Sequence, residues 1–153
     1  MAKQYNKSSQ NNSEAYRQLA EIEGTVPPQA IELEQAVLGA LMLEKDAIID
    51  VQEYIKPETF YTEEHRIIFQ AIQELSFEMK AIDLYTVTEC LKSHRQLTKV
   101  GGAAYLAQLT QRVASAAHIE FHAKIIAQKY VQRELIRSAT EIERRSYDDE
   151  VDV

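Results

Sequence analysis

Apolar residues recur at spacings of three and four along most of this chain, and no run alternates cleanly enough to claim a strand. Val26-Pro27-Pro28 marks a start, because proline pre-sets the dihedral of a first helical turn. A first helix is expected over residues 29–43, with Ala30, Leu33, Val37, Ala40 and Leu41 on one face. Gly39 lies inside it at a cost of roughly 1 kcal/mol against Ala, which a close helix crossing would explain. Asp46 is expected to cap a short second helix through Val51 to Ile55, and Lys56-Pro57-Glu58 then breaks the chain. Thr62 caps a third helix over 63–76, with Ile68, Ile72 and Leu75 inward. Asp83 opens a fourth, carrying Leu84, Val87 and Leu91. Gly101-Gly102 makes a turn, and Ala103, Leu106 and Leu109 share one side of a fifth helix.

The final segment is the most informative. Residues 116–147 contain neither Gly nor Pro, so one long helix is allowed. Ile119, Ala123, Ile126 and Tyr130 form one apolar stripe. Ala127, Val131, Leu135, Ala139 and Ile142 form another, rotated from the first by roughly 130° at about 100° per residue. The first half is therefore expected to dock on the domain and the second to project toward a partner helix; the alternative is a kink or loop near Lys129 that resets the phase. Without a partner, the part beyond Leu135 is expected to be disordered in a monomer, or packed against another copy in a dimer.

Composition agrees with helices. The 153 residues include only 4 Gly and 3 Pro, and 45% are hydrophobic, enough for a core. Residues 1–25 are rich in Asn, Ser, Gln and Glu and are expected to form a disordered polar tail. There is no apolar run of membrane-spanning length, and the polar N-terminus does not read as a secretory signal. The single Cys90 cannot form an internal disulfide; it is expected to be a small buried residue in a reducing, cytoplasmic compartment. A net charge of −7 argues against strong autonomous DNA binding and against a membrane-surface role.

Sites for chemistry are hard to find. None of the four glycines belongs to a phosphate-binding loop or a dinucleotide fingerprint, so ATP hydrolysis by that route is not expected. His118 and His122 stand four apart, a spacing that can hold a metal, but no third ligand is visible nearby and no metal is expected. His65 and His94 are expected at the surface or partly buried. Glu32/Glu34 and Glu63/Glu64 read as solvated faces and first-turn charges, and neither Ser115 nor Cys90 has a positioned base. Phe60, Tyr61 and Phe69 read as core. Tyr105, just after the Gly-Gly turn, is either an interface anchor or a half-buried core tyrosine. Lys124, Lys129, Arg133, Arg137, Arg144 and Arg145 read as a solvated face with local ion pairs.

Several stretches, in order, resemble the N-terminal domain of DnaB-type replicative helicases. They are Pro27-Pro28-Gln29 with Glu34-Gln35-Ala36-Val37-Leu38-Gly39-Ala40, Lys56-Pro57-Glu58-Thr59-Phe60-Tyr61 with His65, and Ile82-Asp83-Leu84 with Thr86-Val87. Val100-Gly101-Gly102 with Tyr105-Leu106 and Leu109, Ser115-Ala116-Ala117, and Gln132-Arg133-Glu134-Leu135-Ile136-Arg137 complete the set, which spans residues 26–153. Thr59, Ala114 and His118 depart from the Asp, Pro and Asn usual in the family, which touches local capping rather than the fold.

The resemblance implies an all-α fold: a compact multi-helix orthogonal bundle over 26–115, then a long helix over 116–153 that is the first arm of a helical hairpin and the start of a linker. It further implies a RecA-like motor, with its ATP and Mg²⁺, outside this chain, and no cofactor within it. The expected role is assembly: dimers within a hexamer, docking of primase at the replication fork, and a helicase loader as a further candidate partner. Tyr105, Ile136 and Ile142 correspond to primase-contacting or primase-modulating positions, while Val131, Leu135 and Ala139 would pack the hairpin or oligomer. Ile136 lies about 120° from Ile142 on an otherwise polar face, where an apolar residue fits an interface. The alternative reading is a free-standing helical DNA-binding or regulatory adaptor protein; a small enzyme has no site to support it.

Overall fold

A computed structural model describes residues 26–113 and 118–148. The expectations placed on residues 1–25, on Ala114 to Ala117 and on residues 149–153 lie outside these. Regular structure among the described residues is entirely helical: α1 (Ile31–Leu43), α2 (Ala47–Val51), a 3-10 turn (Pro57–Thr59), α3 (Glu63–Phe77), α4 (Leu84–Ser93), α5 (Gly102–Gln111) and α6 (Ile119–Ser146). Two units can be distinguished, one over Gln29–Val131 and one whose described parts are residues 26–28 and 132–148.

The first unit holds the core. Val37, Leu38 and Leu41 of α1 are fully buried, with Ile68, Phe69 and Ile72 of α3, Val87 and Leu91 of α4, and Leu106 and Leu109 of α5. Ile119, Ala123 and Ile126 of α6 are buried as well, which is the first of the two expected stripes. Phe60 and Phe69 pack with ring centroids 5.0 Å apart and belong to this core, as expected, whereas Tyr61, read with them as core, is only half-buried.

Gly39 has the expected reason. A Cβ built on it would stand 2.2 Å from the carbonyl oxygen of Leu109 and 2.5 Å from Cγ2 of Val113, so α1 meets α5 backbone to backbone at this point. Two caps also match. The Thr62 hydroxyl accepts from the His65 amide, and Asp83 accepts from the Thr86 amide while the Thr86 hydroxyl accepts from the Asp83 amide. Thr59 caps the 3-10 turn: its hydroxyl accepts from the Lys56 amide at 3.0 Å.

Other expectations are corrected. Asp46 precedes α2 but donates no cap; it sits at φ 66°, where its carbonyl accepts from the Ile49 amide. The reversal after α1 requires a left-handed residue, and Asp tolerates that conformation better than most. Ala103 is exposed, because the inward side of α5 is narrow and filled by Leu106 and Leu109. Cys90 is only half-buried. Gln29 and Ala30 precede the first helix, which begins at Ile31.

Helix α6 runs unbroken through Lys129, so no loop resets the phase there. The helix continues past Leu135 to Ser146. Ion pairs one turn apart line it, Arg137 with Glu134 and both Arg144 and Arg145 with Glu141. Arg133 departs from the solvated set. It is buried in the second unit, and its guanidinium donates to the Pro28 carbonyl at 2.8 Å.

Candidate protein-interaction site

Glu34 and His65 were expected to be solvated or only partly buried, yet both are almost fully buried, on α1 and α3. His65 Nδ1 lies 2.6 Å from Glu34 Oε2, and its Nε2 lies 2.8 Å from the Tyr105 hydroxyl on α5. The other carboxylate oxygen of Glu34 accepts the Tyr61 amide at 2.7 Å. A carboxylate only accepts, so in neutral His65 the proton sits on Nδ1 and Nε2 accepts from the phenol. The Tyr105 oxygen then accepts from Gln35 Nε2 at 3.3 Å, and Gln35 Oε1 accepts from Arg112 at 2.8 Å. Every member has a partner, which is what allows a buried carboxylate to persist in an apolar core.

This chain of hydrogen bonds joins three helices and fixes the phenol. It resembles a catalytic relay only on paper. The hydroxyl is committed at both ends, and among the described residues no nucleophile or oxyanion donors converge on it. What it can do is hold the Tyr105 ring, half-buried and nearly parallel to the His65 ring (4° between planes), at the edge of a shallow cleft. The cleft measures about 310 Å³ and is lined by Ile31, Thr62, His65, Lys99, Gly101 and Tyr105, among others. Its rim carries the Lys99–Glu63 pair at 2.6 Å. The hydrogen bond from Lys99, more than its charge, holds the Glu63 carboxyl below its ordinary range, with burial opposing. Gly101 and Gly102 adopt φ of 105° and 75°, and this left-handed turn places Tyr105 one turn into α5.

The second candidate surface is the late face of α6. Val131, Leu135 and Ile142 are 54%, 65% and 67% exposed, and Ala139 is exposed beside them. At spacings of three and four they form one uncovered apolar stripe. Ile136 is 40% exposed and off that stripe, and its carbonyl accepts from the Thr140 hydroxyl. The residues expected from sequence thus fall on two units: Tyr105 and Val131 on the first, Leu135, Ile136, Ala139 and Ile142 on the second.

Other polar groups have local explanations. Glu120 accepts from Lys124 at 2.6 Å and from the Tyr54 hydroxyl at 3.0 Å, bonds that lower its carboxyl in that order, and Lys124 lies over the Tyr54 ring. His118 and His122 face one another with ring centroids 6.5 Å apart. Burial raises the Cys90 thiol above its ordinary range, with Glu74 and Glu78 adding to the effect. No helix among the described residues is long and apolar enough to cross a membrane.

Sequence reading missed Glu34, Gln35, His65 and Arg112 as parts of a site. A signal for two of them was present. Glu34 shares the inward stripe of Val37, Leu38 and Leu41, and His65 shares that of Ile68 and Ile72. A polar residue at core register implies a buried partner.

Comparison with known proteins places these features in a family. Residues 26–128 match the family model described as DnaB-like helicase N-terminal domain. The replicative DNA helicase DnaB of Rhodothermus marinus is 48% identical over 129 residues, covering 84% of this chain and 14% of that protein. The DnaB of Geobacillus stearothermophilus is 43% identical over 130 residues, again 84% of this chain but 29% of the relative. The chain therefore spans under a third of the length of these relatives. The crystal structure of the N-terminal domain of DnaB helicase from Mycobacterium tuberculosis superposes with a TM-score of 0.77 at 37% identity, covering 80% of this chain and 88% of that one. A DnaB-like replicative helicase whose structure was described together with its interactions with primase superposes with a TM-score of 0.68 at 26% identity, over 76% of this chain and 27% of that one. An all-helical bundle with a long closing helix, matched in sequence over most of its length and in structure to such domains, belongs to the DnaB-like helicase N-terminal domain family.

Proposed function

We propose that this chain is the assembly and primase-docking domain of a replicative DNA helicase, acting in the cytoplasm. The observation that carries the reading is the uncovered apolar stripe of Val131, Leu135, Ala139 and Ile142 on a helix that stays helical to Ser146. An apolar helix face of this kind is built for another helix, since burying each Leu or Ile contributes roughly 1.5–3 kcal/mol. In this reading residues 26–115 form the globular domain and residues 116–153 the first hairpin arm and the start of a linker. The arm packs against its hairpin partner and other helicase subunits, giving dimers within a hexamer. ATP and Mg²⁺ serve the motor domain of the whole protein, and this domain contributes no strong DNA binding of its own. A helicase loader is a further partner in this reading.

Tyr105, Ile136 and Ile142 are the proposed primase contacts. The relatedness to a helicase studied with primase supports this, as does the exposure of Ile136 and Ile142. The test is Ile136→Ala in the full-length helicase. It should change stability by less than about 1 kcal/mol while weakening primase binding or primase stimulation. A large loss of stability with an unchanged primase response removes Ile136 from the site.

A further inference from the structure

Three chemically different donors converge at the far ends of α3 and α4. Glu74 stands in the last turns of α3, Cys90 in the last turn of α4, and His94 immediately follows α4. One ligand atom from each lies within 4.8 Å of the other two. Cys90 and His94 are one helical turn apart, so both project from the same side of α4, and the packing of α3 on α4 brings the Glu74 carboxylate to them. His94 Nε2 stands 3.0 Å from both oxygens of Glu74, so a single imidazole proton now occupies the fork of the carboxylate. Cys90 and Glu74 are half-buried and His94 is exposed, which leaves one side open to water. The nearby Lys80 pairs with Glu78 at 2.6 Å, and the Glu74 carboxylate pairs with His94.

We infer that Glu74, Cys90 and His94 form a site for a borderline divalent cation of the zinc class, with water as the fourth ligand. The donor set selects the class. A thiolate with an imidazole favours zinc or cobalt over magnesium or calcium, which prefer oxygen-only shells. His94 and Glu74 already stand as close as two ligands of one zinc ion with bonds of about 2.0–2.3 Å, and Cys90 has at most roughly 1 Å to close, within reach of side-chain rotation at a half-open site. Binding releases the Cys90 thiol proton to solvent as the S–metal bond forms, and His94 binds through Nε2 as the neutral tautomer that carries its proton on Nδ1. The bound ion would clasp the ends of α3 and α4 together.

The experiment is a titration of the full 153-residue chain, kept reduced, with cobalt(II) and then zinc(II). Cobalt should produce a near-ultraviolet thiolate-to-metal charge-transfer band, and zinc should displace it. Cys90→Ser should abolish the band and weaken zinc binding at least about tenfold, because the soft ligand is lost. His94→Asn, at an exposed position where the fold is not at stake, should weaken binding comparably. A variant with His118→Asn and His122→Asn should bind as the parent does. The inference is overturned if the parent chain shows no charge-transfer band, if His94→Asn binds zinc as tightly as the parent, or if the His118/His122 variant is the one that loses binding.

Discussion

The hydroxyl of Tyr105 lies 2.8 Å from Nε2 of His65, and through that ring it is tied to the buried carboxylate of Glu34. The phenol is thus held by three helices rather than by its own. Removing His65 leaves Glu34 buried with only the Tyr61 amide from this network. His65→Ala should therefore destabilise the domain by about 3 kcal/mol or more, read from urea denaturation. Tyr105→Phe removes the phenol's bonds to His65 and Gln35 but leaves the Glu34–His65 pair in place, and should cost less, about 1–2 kcal/mol. Equal, small effects for both would show that the relay is not what secures this part of the core.

Gly39 gives a prediction whose sign runs against helix propensity. Gly→Ala in an exposed helix interior stabilises by about 1 kcal/mol. Here the added methyl would meet the Leu109 backbone oxygen at 2.2 Å, and backbone cannot swing aside. Gly39→Ala should destabilise by about 2 kcal/mol or more, seen as a lowered midpoint of thermal unfolding. A neutral or stabilising result would mean that α1 and α5 can separate at little cost.

The late stripe of α6 predicts concentration-dependent association. Leu135→Ser with Ile142→Ser removes the two most exposed aliphatic residues of that face. Any self-association of the chain in sedimentation velocity should fall sharply, while unfolding stability changes by less than about 1 kcal/mol, because neither side chain is buried in the isolated chain. A large stability loss would place the stripe in the core instead.

The end of α6 should respond to acid. Hydrogen bonds from Arg144 and then Arg145 lower the Glu141 carboxyl from its ordinary 4.5 to about 2. A depressed carboxyl contributes stability that is fully present above its ordinary value and is lost as pH falls toward about 2. The effect is small because the groups are exposed. Helicity near the C-terminus, followed by amide exchange at Glu141 to Arg145, should fall over that window in the parent. In Glu141→Gln the same amides should show little change there.

Much of this protein was legible in its sequence because helices are local objects. Thr62 and Asp83 cap the helices they were expected to cap, since a cap needs only a hydroxyl or carboxylate at the right offset from free amides. The change of face along α6 followed from counting residues at a fixed angular step. The Asp46 reading failed because the reversal after α1 imposed a left-handed conformation at that residue, which a capping side chain cannot occupy in the usual way.

What the sequence determined by itself was the helical class, most helix boundaries and most inward faces. The tertiary structure alone decided which polar residues meet. Glu34 and Tyr105 are 71 positions apart and His65 lies between them, so no spacing rule relates them; α1, α3 and α5 bring their side chains together. Glu74 reaches His94 across 20 positions in the same way. Periodicity reports the angle at which a residue leaves its own helix. The neighbour waiting there is set by how helices pack, a long-range property carried by contacts such as Gly39 on Leu109.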